Sequence, residues 1–333
     1  MTIIDYKVED GCAILTWDEQ GQPMNVLNGQ SLAELDAGVK RALADDAVKG
    51  IVLTSGKTGI FVAGGDLKQI EALGSGPIDA ADLLAKTSLV LDQLRRMETC
   101  GKPVVAAING ICLGGGLEVA LACHRRIVVD SPHAKVGLPE AGMGLMPGAG
   151  GTQRLPRLIG VQAALGLIMT GKQLSPEEAL KQGVVHEVVP AEQLLTKAKQ
   201  YIQEGGSAVQ PWDDKRYQVP GGGAESPKFL QTMMGTIAMT HMNTFGNMPS
   251  QQAILSAIYE GLGMPMDRAG KVETRYFITL LQDPTARSML RTLFFSLQEC
   301  QKGARRPKDF PRTCIKKVGI LGAGLMGQGL AQV

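Results

Sequence analysis

Short apolar runs of strand length alternate in this chain with longer segments that have helical periodicity. Residues 51–54, 104–108 and 127–129 are rich in valine and isoleucine, as is typical of strands buried on both faces of a sheet. Apolar residues recur at helical spacing over residues 29–45 and 81–98. Strands that alternate with helices are joined by crossover connections, so the pattern predicts an α/β fold with a parallel sheet.

Turn signals and periodicity predict most of the remaining elements. A Glu-Asp-Gly turn between residues 3–8 and 12–17 indicates a β-hairpin at the start of the chain. A short apolar run at residues 318–321 predicts a further strand near the other end. Helices are expected at residues 147–159, 161–170, 175–182 and 191–204, and again in the Met- and Leu-rich part that extends to about residue 301.

Two segments are typical of linkers and suggest how the chain divides. Residues 205–227 are rich in glycine and proline, and residues 302–312 are basic and contain proline. We therefore predict a first domain at residues 1–204, a linker and helical region at 205–312, and the start of a further domain at 313–333.

Composition and charge exclude several classes of function. The 34 basic and 32 acidic residues leave a formal net charge of +2, which indicates neither nucleic acid nor a membrane surface as a partner. The six cysteines occur singly, and the four histidines have no metal-ligand spacing. No apolar stretch is long enough to span a bilayer, and the first residues lack signal or transit features. We therefore expect a cytoplasmic protein without a metal site.

Two glycine-rich segments precede predicted helices and can bring backbone N–H groups close to a ligand. The segment at 61–68 contains Asp66, which is also a plain helix N-cap. Residues 114–116 are three glycines before an apolar helix, whose first turn contains Glu118. Such a helix start can stabilise a developing oxyanion, but a glutamate in the first turn also has a purely structural explanation. The residues alone leave both explanations open.

A second glutamate, Glu140, follows Pro139 and precedes the glycine-rich stretch 147–152. It can point into a cavity, or it can simply begin a helix after proline. If Glu118 and Glu140 met in space, their mutual repulsion would separate their pKa values and produce an acid–base pair. Addition of water to a conjugated double bond needs such a pair, together with N–H groups that stabilise the enolate oxygen.

Four segments in order resemble enoyl-CoA hydratases of the crotonase superfamily, and the resemblance covers about residues 1–203. They are Ala-Gly-Gly-Asp at 63–66, Gly-Gly-Gly-Leu-Glu at 114–118, Leu-Pro-Glu at 138–140 and the glycine-rich stretch at 147–155. The resemblance implies a spiral of ββα turns that holds the acyl-CoA in a cleft. It also implies hydration of trans-2-enoyl-CoA to 3-hydroxyacyl-CoA in fatty-acid β-oxidation, without a cofactor.

The same resemblance implies a role for individual residues. Glu118 and Glu140 match the two catalytic glutamates, and the N–H groups of Gly65 and Gly115 match the oxyanion hole. A second activity, Δ3–Δ2 enoyl-CoA isomerisation, needs only one positioned carboxylate, for which Glu140 is the candidate. The residues expected beside CoA are Ala63, Asp66 and Lys68.

The likeness extends to longer proteins. Residues 160–167 and 170–174 resemble the α-subunits of bacterial multifunctional fatty-acid oxidation complexes. Residues 317–327 resemble the first strand and glycine turn of a Rossmann-type 3-hydroxyacyl-CoA dehydrogenase, with Gly322, Gly324 and Gly327 as the glycine fingerprint. The resemblance implies a chain truncated at the start of that domain, NAD binding only by the full-length protein, and a thiolase β-subunit as partner in the full complex.

Two alternative functions and two interpretations of single residue types remain. A non-catalytic acyl-CoA-binding or assembly module is disfavoured because both glutamates are present, and an NAD-dependent oxidoreductase because the cofactor domain is incomplete. His124, which follows the glycine-rich helix, is interpreted as a neighbouring polar residue and not as a base. The methionines at 233, 234, 239 and 242 are interpreted as core or interface packing in preference to the lining of an acyl tunnel.

Overall fold

The strands of the protein pair in two separate sheets. The computed structural model describes residues 2–74, 80–307, 309–310 and 313–332. Its strands are β1 (Ile4–Glu9), β2 (Cys12–Trp17), β3 (Gly50–Ser55), β4 (Gly59–Val62), β5 (Val104–Ile108), β6 (Gly110–Leu113), β7 (Arg125–Val129), β8 (Val136–Gly137) and β9 (Glu187–Val189). Within the described residues one sheet has the order β1-β2-β3-β5-β7-β9 and the other the order β4-β6-β8.

Helices follow the strand pairs and then continue alone. The α-helices are α1 (Gly29–Ala44), α2 (Leu67–Leu73), α3 (Ala80–Glu98), α4 (Gly115–Leu121), α5 (Gly151–Ile159), α6 (Val161–Ile168), α7 (Pro176–Lys181), α8 (Leu194–Gln203), α9 (Pro227–Thr244), α10 (Pro249–Gly261), α11 (Met266–Gln282), α12 (Pro284–Met289), α13 (Leu297–Gln301) and α14 (Leu325–Gln332). Short 3₁₀ turns lie at Glu140–Met143, Ala191–Gln193 and Pro211–Asp213, and a π-helical stretch lies at Leu290–Ser296.

Successive strands go alternately to the two sheets. β3, β5 and β7 join the larger sheet, whereas β4, β6 and β8, which follow them in the chain, join the smaller one. Each such pair is followed by helix, and every pairing except the β1–β2 hairpin is parallel. This arrangement is a spiral of ββα turns, so the fold class predicted from the sequence is confirmed.

The smaller sheet gathers three of the predicted motifs at one edge. Residues 63–66 follow β4, residues 114–118 follow β6, and residues 138–140 follow β8. Because the three strands are parallel, their carboxyl ends lie at the same edge, which is where ligands bind in parallel sheets. A hydrogen bond from Gly114 N to Gly137 O (2.9 Å) joins two of these strand ends directly.

Residues 147–159 depart from the predicted helix. Helix α5 begins only at Gly151, and residues 147–150 form a turn before it. Gly150 has a φ of 102°, which is outside the helical region and which glycine adopts readily. The short strands β4, β8 and β9, of four, two and three residues, were not predicted from the sequence.

Helices α10 and α11 belong to the same compact unit as the ββα spiral. The chain separates into one unit of residues 1–294 and another of residues 295–333. Within the first unit, Gln153 Nε2 on α5 donates to Ala257 O on α10 (2.9 Å). Arg157 on α5 donates to Gly261 O at the end of the same helix (2.8 Å). The domain limits proposed from the sequence at residues 204 and 312 stay a prediction.

The predicted start of a Rossmann domain is not confirmed. Residues 318–321 were expected to form a strand but pair with no strand in the part of the chain that the structure describes, and they are exposed. A strand needs a neighbour to satisfy its N–H and C=O groups, and those groups face solvent here. Of the predicted linker at 302–312, Lys308 and residues 311–312 lie outside the described residues.

A buried ion pair joins α3 to α5. Arg154 Nε donates to Glu98 Oε1 at 2.7 Å, and the side chains are 2% and 0% exposed. Arg154 also donates through its guanidinium to Ala149 O (2.7 Å), in the turn that precedes α5. The other oxygen of Glu98 pairs with Arg95 (3.1 Å), so this carboxylate balances two cations, and loss of its charge would leave the buried Arg154 without a counter-ion.

We expect Glu98→Gln to lower the free energy of unfolding by about 3–5 kcal/mol, the usual cost of leaving one charge of a buried pair unpaired. Asp82→Asn is the matched control, because Asp82 and Lys86 form an exposed pair along α3, and its cost should stay below about 1 kcal/mol. Urea titration of both variants measures the difference. Similar losses in the two variants would contradict this account of the α3–α5 contact.

Candidate active site

Glu118 is a buried carboxylate held by the turn before α5. It lies in the first turn of α4 and is 3% exposed. Its Oε1 accepts hydrogen bonds from Ala149 N and Gly151 N, each at 2.7 Å. A Cβ at position 151 would lie 2.9 Å from this oxygen, so glycine is needed for the approach. The turn thus supplies two donors to one oxygen of a carboxylate that burial removes from water.

Glu140 is the second buried carboxylate, and its surroundings differ. It begins the 3₁₀ turn Glu140–Met143 and is 8% exposed. Among the described residues no hydrogen-bond partner reaches its Oε2. Gly114, at a φ of 52°, lies so close that a Cβ there would be 2.8 Å from Glu140 Oε1. Glu140 therefore packs against the glycines that precede α4, with one oxygen left without a donor.

The two environments act differently on the carboxyl pKa values, although burial raises both. Burial raises the pKa of Glu118, and the N–H groups of Gly151 and Ala149 oppose that rise. Burial raises the pKa of Glu140 well above its usual value, and the negative charge of Glu118 raises it further. The two N–H donors favour the ionised form of Glu118, whereas the negative charge of Glu118 and the lack of a donor to Oε2 among the described residues favour the protonated form of Glu140.

Gly65 and Gly115 come together beside the glutamates. In the parallel bridge between Leu27 and Gly65, Leu27 bonds to Gly64 O and to the N–H of Asp66. The N–H of Gly65 therefore points to the opposite side of its strand. That nitrogen lies 3.4 Å from the position that a Cβ on Gly115 would occupy. Gly115 is the first residue of α4, where N–H groups have no partner within the helix.

The residues expected beside CoA lie next to this pair of glycines. Ala63 is half-buried and donates its N–H to Asn25 O (2.9 Å). Asp66 caps α2 by accepting from Lys68 N (3.0 Å) and Gln69 N (3.2 Å), as the structural explanation anticipated. Lys68 is exposed in the first turn of α2. Their contact with CoA stays a prediction.

A third buried carboxylate at this site was missed by the sequence analysis. Glu273 on α11 is 0% exposed and accepts from Gly150 N (2.5 Å), Thr152 N (2.9 Å) and Thr152 Oγ1 (2.5 Å). Burial and the charge of Glu118 raise the pKa of Glu273 to about 8. A signal was present, because the helical spacing of Ala269, Glu273 and Phe277 places the glutamate on an apolar face.

Asn25 was also missed, and it fixes the chain before Gly65. It is 0% exposed, and its amide nitrogen donates to Trp17 O (2.8 Å) and Phe61 O (3.0 Å). Its side-chain oxygen accepts from Glu19 N (3.0 Å). The carbonyl of Asn25 also accepts from Ala63 N. Asn25 therefore holds the segment that leads to Gly65 at both Phe61 and Ala63.

Two further sequence interpretations have different outcomes. His124 Nδ1 accepts from Val104 N and its Nε2 donates to Glu98 O, both at 3.0 Å, so it is a neutral core residue, as interpreted. Met233 is buried, as core packing requires, but Met234, Met239 and Met242 are 71%, 64% and 72% exposed and are not core residues; packing of these three at an interface stays a prediction. These three side chains lie on the outer faces of α9. The apolar content of the segment alone could not show which of its methionines are exposed.

The glycine turn near the end of the chain has the local shape of a dinucleotide fingerprint. Gly322 has a φ of 97°, α14 begins directly after Gly324, and a Cβ on Gly327 would lie 1.8 Å from Gly322 O. These are the tight turn and close packing that the first and third glycines of the fingerprint provide. In the described residues, however, no paired strand supports the turn.

The part of the chain that the structure describes contains no cluster of metal-ligating side chains and no helix able to cross a membrane.

Comparison with known proteins places this site in context. Residues 9–209 match the protein family described as enoyl-CoA hydratase/isomerase. The fatty acid oxidation complex subunit alpha of Shewanella frigidimarina is 39% identical over 327 residues, which is 98% of this chain and 45% of that protein. The subunit from Shewanella amazonensis is 39% identical over 325 residues, with the same coverage. The chain therefore spans less than half the length of these curated relatives.

Solved structures agree on the fold. The enoyl-CoA hydratase of Bacillus anthracis aligns with a TM-score of 0.55 and 26% identity over 90% of this chain and 96% of that one. The human mitochondrial delta3-delta2-enoyl-CoA isomerase aligns with a TM-score of 0.63 and 24% identity over 90% and 99%. The ββα spiral is thus the crotonase fold, and the resemblance seen in the sequence is confirmed.

We expect the protein to lose stability as pH rises from about 6.5 to about 8. Glu273 has a folded-state pKa of about 8 against 4.5 for an ordinary glutamate, so the folded protein holds a proton that the unfolded chain has released, and stability falls with pH in this range. His186, whose pKa burial lowers to about 3, has the opposite effect only below 6.5.

Thermal unfolding midpoints measured across this pH range check the sign. The fall should be shallower in Glu273→Gln, because the amide does not titrate. A midpoint that rises with pH in the wild-type protein would contradict the assignment of a buried, protonated carboxyl.

Proposed function

The chain belongs to the enoyl-CoA hydratase/isomerase family, and from this we propose that it adds water to trans-2-enoyl-CoA thioesters to give 3-hydroxyacyl-CoA. The observation that supports this most directly is the pair of buried glutamates with unlike surroundings. Glu118 accepts two backbone N–H groups, whereas Glu140 has an oxygen without a donor. One carboxylate is thereby suited to lose its proton and the other to keep it.

In this proposal Glu118 is the base. Its carboxylate takes one proton from water as the water oxygen bonds to C3 of the enoyl group. The electron pair of the double bond moves toward the thioester, and negative charge develops on the carbonyl oxygen. The N–H groups of Gly65 and Gly115, which lie close together, are the donors that would stabilise this enolate oxygen.

Glu140 is then the acid. Its raised pKa keeps it protonated while Glu118 is ionised, so it can give its proton to C2 as the enolate collapses. Water is thereby added across the double bond, with Glu118 left protonated and Glu140 ionised. A net proton transfer from Glu118 to Glu140 restores the starting state.

Binding of the CoA part is proposed for the exposed side of the same segment. Ala63 would lie by the adenine, and Asp66 and Lys68 lie at the start of α2 beside it. Lys68 is exposed and carries the positive charge that a phosphate of CoA requires. The neighbouring oxyanion-hole glycine, Gly65, would then face the thioester end of the same ligand.

The longer relatives suggest a wider role. We propose that the hydration step serves fatty-acid β-oxidation, as in the named complexes, and uses no cofactor. NAD would belong to a protein that continues past the turn of Gly322, Gly324 and Gly327, and a thiolase β-subunit is the proposed partner of such a protein. The six cysteines are free thiols, as a reducing cytoplasm would keep them.

We expect Glu118→Gln and Glu140→Gln each to lower kcat for hydration of crotonyl-CoA by roughly 10²-fold or more, the range for a positioned acid or base. The loss of the conjugated thioester absorbance follows the reaction. Glu192→Gln is the matched control, because Glu192 is exposed in the surface turn Ala191–Gln193. Near-normal turnover by either folded site variant would remove that residue from the mechanism.

The same assay tests the main alternative. A non-catalytic acyl-CoA-binding or assembly module would bind crotonyl-CoA without turning it over. Absence of hydration by the wild-type protein, with measurable thioester binding by calorimetry, would favour that alternative over the hydratase.

A second activity, Δ3–Δ2 enoyl-CoA isomerisation, is favoured by the unpartnered Oε2 of Glu140. Moving a proton between C4 and C2 needs one carboxylate and no activated water. We expect Glu140→Gln to abolish isomerisation of a 3-enoyl-CoA, while Glu118→Gln keeps a larger share of it. Equal losses in the two variants would count against this division of roles.

A further inference from the structure

Two carboxylates bind alternate N–H groups of one glycine-rich turn. The N–H groups of Ala149 and Gly151 donate to Glu118. Those of Gly150 and Thr152, which alternate with them in the chain, donate to Glu273. Four successive backbone donors are therefore divided between Glu118 and a residue from a helix more than a hundred residues away.

Helix α11 packs directly against this turn. Phe277 lies one helical turn after Glu273, and a Cβ on Gly148 would be 2.7 Å from its ring. The hydroxyl of Thr152 donates to Glu273 Oε2 and accepts from Gln153 Nε2 (3.0 Å). The turn is thus enclosed by side chains on one side and by Glu118 on the other, and its backbone has little room to move.

Helix capping alone is a sufficient structural explanation for one of the carboxylates, but not for both. Gly150 at the start of α5 has no side chain, so the first N–H groups of the helix need outside partners. A single carboxylate would satisfy that need. A second buried carboxylate next to the first costs free energy through repulsion and lost hydration, as the raised pKa values of both groups indicate.

We propose that Glu273 is a positioning residue for the hydration reaction. It holds the glycine-rich turn at 147–152 so that Ala149 and Gly151 direct their N–H groups at Glu118. The proposal rests on the proposed hydratase function. It makes α11 part of the catalytic apparatus, although α11 lies outside residues 9–209, which match the family. Glu273 itself makes no contact with substrate in this proposal.

The expected consequence is a loss of rate without a loss of substrate affinity. If the turn relaxes, Glu118 no longer has a fixed direction toward the attacking water, while the binding surface for the thioester is unchanged. We expect Glu273→Gln to lower kcat roughly 10-fold, less than the roughly 10²-fold that a 1 Å misplacement can cost. KM for crotonyl-CoA should stay within about twofold, because interactions with the substrate are retained.

The amide in Glu273→Gln has nearly the shape of the carboxyl but cannot accept a bond at its nitrogen. It therefore leaves either Gly150 N or Thr152 without an acceptor. Glu260→Gln is the matched control, since Glu260 pairs with Arg275 between α10 and α11 at the exposed surface. This control should retain the wild-type kcat, although it also weakens a contact made by α11.

Thr152 provides a second pair of variants that leaves Glu273 in place. Thr152→Val removes the hydroxyl donor at nearly constant volume and should lower kcat several-fold. Thr152→Ser retains the hydroxyl and should restore most of the wild-type rate. If Thr152 served folding alone, the kcat of the two variants would follow their unfolding temperatures and not the presence of the hydroxyl.

Amide hydrogen exchange, followed by NMR, tests the proposal without any turnover. If Glu273 only caps α5, its loss should expose the amides of Gly150 and Thr152 alone. If it positions the turn, the amides of Ala149 and Gly151, which bind Glu118, should also exchange faster in Glu273→Gln.

The outcomes distinguish a failure of the positioning role of Glu273 from a failure of the proposed hydratase function. An active wild-type protein with unchanged kcat in folded Glu273→Gln overturns the positioning role, whatever the amide exchange shows. An inactive wild-type protein overturns the proposed hydratase. If the wild-type protein is inactive, the exchange data still test the positioning of Glu118. Unchanged exchange at Ala149 and Gly151 in Glu273→Gln overturns that positioning, and faster exchange supports it.

Discussion

The turn between residues 147 and 152 is the constraint on which the candidate site depends. Its alternating N–H groups hold Glu118 and Glu273, two carboxyl groups that would otherwise be too costly to bury. The carbonyl of Ala149 in the same turn accepts from Arg154, whose charge is in turn balanced by Glu98. A glycine-rich backbone is required because any side chain on Gly151 would meet the carboxylate of Glu118.

The smaller sheet explains why the parts of the site meet. Its three parallel strands end side by side, so the segments that follow them carry Gly65, Gly115 and Glu140 to one edge. In the larger sheet β3, β5 and β7 are almost wholly buried. The candidate catalytic groups therefore lie on short connections, whose ends are fixed by the strands of the two sheets.

Sequence reasoning was most successful where signals were local and strong. The buried strand at 104–108 and the helix at 29–45 have a period that depends only on neighbouring residues, and the structure contains both. The strand predicted at 318–321 did not form, because strand pairing depends on a partner elsewhere in the chain. For Glu273 the helical spacing indicated burial on an apolar face, but it could not indicate a role at the site, because the partners of Glu273 lie at Gly150 and Thr152 and no spacing in the sequence connects them.

The sequence by itself determined the α/β class, the crotonase resemblance and the two glutamates most suited to acid–base chemistry, because motifs and periodicity are written in consecutive residues. Only the tertiary structure decided how Glu118 and Glu140 differ. That difference depends on burial and on which backbone donors reach each oxygen, and both follow from packing between distant segments. The tertiary structure also added Glu273, since a helix and a turn separated by over a hundred residues become neighbours only when the chain folds.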